Sequence, residues 1–133
     1  MDALRKPIIQ ATLLLLVLSV AHTVDHIVGH PADTIGQIPG YLGYATLAVT
    51  LFLTLRSDRA APLAAAATGF STAAALVAIH LAPHWGVFSD PYSKLDLGLI
   101  SWAIVFASIA AGLWLGVLGA RAMIAERSAQ PAT

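Results

Sequence analysis

A chain of 133 residues is one domain by length, and 58% apolar against 11% charged residues is too apolar a composition for an ordinary soluble fold. Seven basic residues balance seven acidic ones, and with no basic run and no aromatic-basic interleaving no nucleic-acid partner is expected. Cysteine is absent, which excludes disulfides, thiolate metal sites and dithiol redox chemistry, so any metal ion must be held by nitrogen and oxygen.

Four apolar segments predict an all-α integral membrane four-helix bundle with the lipid bilayer as its surroundings. Residues 1–6 form a polar head with Arg5 and Lys6, and Pro7 suits the first turn of a helix, where its missing N–H costs nothing. The first helix is expected over residues 7–29. Its N-terminal half is uniformly apolar, and its ionisable groups all lie in the C-terminal half. At about 100° per residue, His22, Asp25, His26 and His30 fall at about 0°, −60°, 40° and 80°, on less than half of the helix circumference. Ionisable side chains inside a membrane are expensive, and they commonly face the bundle interior, pair with one another and mark a functional site. A competing reading takes residues 1–21 as a secretory signal, with Ser19-Val20-Ala21 as a small-x-small cleavage site and His22 as the new terminus. The apolar run continues past Ala21 with helical spacing, which favours a crossing helix.

Residues 30–38 form a turn-rich connection without lysine or arginine, and a second helix is expected over residues 39–55, closed by Arg56-Ser57-Asp58-Arg59. The third, residues 60–81, is rich in alanine with Thr68, Gly69, Ser71 and Thr72, and its small side chains suit close helix packing. It ends in His80-Leu81-Ala82-Pro83-His84-Trp85, where Pro83 cannot continue the hydrogen-bond ladder. The fourth is expected over residues 96–120. Ser108, Gly112, Gly116 and Ala120 recur along it every fourth residue, a small-xxx-small seam for a close contact within the bundle, in a homo-oligomer or in a larger membrane complex. Residues 121–133 read as a polar tail.

Counting charges sets an expected orientation. Arg5, Lys6, Arg56, Arg59, Arg121 and Arg127 fall at one set of helix ends and only Lys94 at the other. The positive-inside rule then puts both termini in the cytoplasm, in what we expect to be a bacterial plasma membrane. The first and third helices run the same way, so topology alone brings His22 to His30 and His80 to His84, about 50 residues apart in sequence, to one non-cytoplasmic level, with Asp96 beside them.

Histidines four apart on a helix stand one turn apart and can bind one ion together. The spacing occurs in His22/His26, His26/His30 and His80/His84, though Pro83 is placed to bend the last pair off the helix. The expected metal site is therefore His22, Asp25, His26, His30, His80 and His84, holding a divalent transition metal such as zinc, copper or iron. Asp25 is either a ligand, a partner for a ligating histidine's second ring N–H, or a general base. Asp96 reads first as a helix N-cap or first-turn charge. Haem b between two facing histidines is the alternative cofactor. Tyr41, Tyr44, Tyr92, Trp85, Trp102 and Trp114 read as interfacial belt and packing. Three function classes follow: a small membrane metalloprotein whose ion either does redox or hydrolytic chemistry on a membrane-soluble substrate or is sensed or handed on, a proton- or ion-coupled transport subunit, and an accessory subunit of a larger complex, with enzyme or not left open.

Overall fold

The computed structural model describes residues 2–29, 37–95 and 97–128, and among them there are helices and no strands. Helix α1 is Asp2–Gly29, α2 is Ile38–Leu55, α3 is Ala61–Leu76 and α4 is Leu99–Ser128. A π-helical turn, Val77–Leu81, prolongs α3, and a 3-10 turn, Tyr92–Lys94, lies in the connection to α4. Each of the four helical rods is long and apolar enough to cross a membrane. The helices pack in the cyclic order α1, α2, α3, α4 and back to α1.

The bundle turns its large apolar side chains outward. Val17, Val20 and Val24 of α1, Phe52 of α2, Leu63 of α3 and Phe106 and Val117 of α4 are all exposed, an arrangement that a soluble fold avoids and that lipid satisfies. The interior is built from small residues with a few larger ones. Ile8, Ala11 and Leu15, spaced by three and four so that they share one face of α1, meet Leu47, Ala65, Ala111, Leu115, Leu118 and Ala122. The chain is an integral membrane protein.

Helix α1 begins five residues before Pro7, where the sequence suggested its start. Arg5 supplies the reason: its Nε donates to the Thr54 carbonyl at 3.1 Å and its Nη2 to the Leu55 carbonyl at 2.6 Å, so the additional turn satisfies the last carbonyls of α2. At that end Ser57 adopts a positive φ of 53°, with Ser57 N–H bonded to the Thr54 carbonyl and Asp58 N–H to that of Leu53, a Schellman closure. Pro62 then sits in the first turn of α3, and Asp58 Oδ1 accepts the Ala60 N–H at 2.8 Å.

The closest contact is between α3 and α4. A Cβ at Gly69 would collide with the backbone of Gly112 and Gly116, and one at Gly119 with the backbone of Pro62, Ala65 and Ala66. The seam therefore faces the chain's own α3, with Ser108, Gly112 and Gly116 buried. Its next member is Gly119, which is buried, and not Ala120, which is only half-buried. A step of four residues advances about 40° past a full turn, and a step of three brings the seam back to the contact. Helix α4 also continues to Ser128, beyond the expected end at residue 120, with Ala122 fully buried in the core.

Polar ties join the other pairs. Tyr44 donates its hydroxyl to the Ser19 carbonyl at 2.9 Å and lies 2.7 Å from Thr23 Oγ1, linking α2 to α1. Thr50 and Thr68, both buried, meet through their hydroxyls at 2.9 Å and link α2 to α3.

Candidate metal centre

Pro83 organises the site. It has no N–H to give the Ile79 carbonyl, and Ala82 is already extended with ψ 155°, so α3 cannot go on as an ordinary helix. The freed carbonyls are taken up one by one. Val77 accepts the Ala82 N–H at 2.9 Å in the π turn, Ala78 accepts Trp85 Nε1–H at 2.5 Å, and Ile79 accepts the Asp90 N–H at 2.9 Å. The last bond folds the loop back over the bundle end, so that Asp90 and Tyr92 lie against His80.

Three imidazoles converge beneath this loop. His22 and His26 stand one turn apart near the end of α1 with ring centroids 4.6 Å apart, and His80 from the π turn lies 4.8 Å from the first and 5.3 Å from the second. One nitrogen of each lies within 4.8 Å of the others. His22 Nε2 and His80 Nε2 are 3.1 Å apart. His80 is buried, and its Nδ1 stands 3.2 Å from the Asp90 carbonyl oxygen. A carbonyl can only accept, so His80 carries its proton on Nδ1 and turns a lone pair at Nε2 toward His22. His26 Nδ1 faces Asp90 Oδ2 at 3.8 Å, which directs its Nε2 inward. Metal-ligating histidines are held as His80 is here, with the second ring nitrogen on a carbonyl or a carboxylate.

Tyr92 completes the cluster. It is fully buried, its ring 4.6 Å from that of His80 and edge-on to Trp102 at 5.5 Å, and its hydroxyl lies 3.4 Å from both His22 Nδ1 and His26 Nε2. Burial first, and then the charges of Asp25 and Asp90, push its phenol above the usual tyrosine range.

Of the six expected metal residues, His22, His26 and His80 come together. Asp25 lies beside them: its Oδ1 accepts the Ser101 hydroxyl at 3.0 Å, while its Oδ2 is buried and has no hydrogen-bond partner. His84 is exposed and outside the group, because the π turn that prolongs α3 ends at Leu81 and the one-turn relation to His80 is lost. His30 and Asp96 lie outside the described residues. Asp90, Tyr92 and Ser101 were not singled out as site residues from the sequence. Pro83 was the available signal, since a proline there leaves a carbonyl that some later N–H must satisfy, but nothing local says which.

The fold and this cluster define an integral membrane four-helix bundle with a three-histidine group at one end, its donor nitrogens within reach of a single ion. Comparison with protein-family models, with curated proteins and with solved structures finds no match.

Proposed function

We propose that the protein is a small membrane metal-binding protein that holds one transition-metal ion on His22, His26 and His80. The observation that carries this is the convergence of three imidazole nitrogens, from two helices, within 4.8 Å of one another. Two donors on one tetrahedral ion with bonds of about 2.0–2.1 Å stand about 3.3 Å apart. The 3.1 Å between His22 Nε2 and His80 Nε2 is close to that separation. Haem b between His26 and His80 is less well supported, since their ring centroids are only 5.3 Å apart with His22 packed against both, and His84 is exposed outside the group.

Asp25, with one buried carboxylate oxygen unused, is the proton acceptor of the site in this reading, and the chemistry is redox or hydrolytic work on a membrane-soluble substrate. The charge count directs the site to the non-cytoplasmic side, both termini being cytoplasmic. A transmembrane proton relay is less well supported. His22, His80 and the Asp90 carbonyl form a row of hydrogen-bonding groups, but the buried hydroxyls of Thr12 and Ser108, deeper in the bundle, bond back to their own helices at Ile8 and Ile104.

The test is elemental analysis of the detergent-purified protein beside His26→Ala. Wild type should carry about one equivalent of zinc, copper or iron, and the variant should lose most of it. Equal metal content in the two would overturn the ligand assignment.

A further inference from the structure

The Tyr92 hydroxyl is placed against two ring nitrogens without a good hydrogen bond to either. Its 3.4 Å separations from His22 Nδ1 and His26 Nε2 exceed the 3.2 Å that bounds ordinary hydrogen bonds of this kind. The separation from His26 Nε2 instead matches the roughly 3.3 Å between two donors on one tetrahedral ion, whereas His22 Nδ1 is not counted, since His22 offers its Nε2. His22 Nε2 to His80 Nε2 at 3.1 Å and His26 Nε2 to Tyr92 Oη at 3.4 Å share no atom, as two opposite edges of a tetrahedron would. The ring is held there by His80 on one side and by Trp102 edge-on, and the whole residue is buried.

We infer that Tyr92 Oη is the fourth donor of the centre, making with His22, His26 and His80 a three-nitrogen, one-oxygen set for an oxidised ion, copper(II) or iron(III). The inference rests on the metal-binding reading above and adds to it the fourth ligand and the class of ion. Three neutral imidazoles bring no charge, whereas a phenolate brings one negative charge on a hard oxygen, which favours iron(III) over the less highly charged zinc, and copper(II) outranks zinc in affinity for nitrogen and oxygen donors. On binding, the phenol O–H bond breaks, an O–metal bond forms, and the proton leaves to solvent. Nothing is oxidised or reduced in that step. The longest separation among the histidine nitrogens, 4.8 Å, closes as the set contracts round the ion.

The experiment is a titration of the purified full-length protein in detergent with copper(II), followed by visible absorption and resonance Raman. Wild type should bind one equivalent and develop a phenolate-to-copper charge-transfer band with tyrosinate ring modes. Tyr92→Phe keeps the ring and its packing, which circular dichroism checks. It should lose the band and bind copper at least about 100-fold more weakly, since loss of a ligand costs no less than loss of an outer hydrogen bond, which reaches that figure. Copper uptake by wild type without the band, or a band that survives in Tyr92→Phe, overturns the tyrosine assignment and leaves the three-histidine site standing. A wild type that takes up zinc but neither copper nor iron overturns the tyrosine assignment alone, and one that takes up none of the three overturns both.

Discussion

Asp90 acts on two histidines through two different groups. Its backbone carbonyl accepts from His80 Nδ1 at 3.2 Å, and its carboxylate faces His26 Nδ1 at 3.8 Å. The two roles separate under mutation. Asp90→Asn leaves the carbonyl in place and removes the charge opposite His26. Metal affinity, measured by competition with a chelator, should fall by about tenfold, the lower end of the range for an outer-sphere partner. Wild-type affinity in the variant would show that the long contact contributes nothing to the orientation of His26. Ser101 is the corresponding partner on α4, donating at 3.0 Å to Asp25 and leaving one carboxylate oxygen open.

Among the elements, the α3–α4 pair sets the spacing of the bundle. Gly69 faces Gly112 and Gly116 so closely that a single added carbon meets backbone, which no rotamer change relieves. Gly69→Ala should therefore destabilise the protein by about 1–3 kcal/mol, the usual cost of overpacking. Gly40→Ala, where an added Cβ meets nothing within 4 Å, is the control and should melt with wild type in detergent-solubilised thermal denaturation. Equal melting of the Gly69 variant would mean that the two helices separate freely. His80 sits on the π turn that ends α3, so a shift of this helix also moves one corner of the histidine group. Such turns recur at functional positions because they re-aim a side chain without breaking the rod.

At the scale of the whole molecule, charge and burial divide the two ends of the bundle. One end carries Arg5 bonded to the carbonyls of α2, with Arg56 over the Phe52 ring at 4.7 Å, and the other carries buried His80 with half-buried His22 and His26 under their loop. On the proposed orientation the histidine end is extracytoplasmic. The chain has no cysteine, so single cysteines report topology without background. Ser93→Cys, exposed on the site loop, should react with a membrane-impermeant maleimide on intact cells, and Ser57→Cys, exposed at the opposite end, should react only after lysis. The reverse pattern would invert the protein in the membrane and put the histidines on the cytoplasmic side.

The four helices and their membrane setting were legible in the sequence because hydrocarbon admits only helices or closed barrels, and long apolar runs interrupted by proline and charge state the helices directly. The one-turn spacing of His22 and His26, with alternating helix direction, likewise put His80 at their level. Only the tertiary structure decided the rest. Whether Ser108, Gly112 and Gly116 face a partner or the chain's own α3 depends on helix rotation, which a pattern that repeats along every helix does not encode. The return of Asp90 and Tyr92 onto the histidines depends on which distant N–H satisfies the Ile79 carbonyl left open by Pro83. That choice is made by packing between segments eleven residues apart in sequence, where no local periodicity reaches.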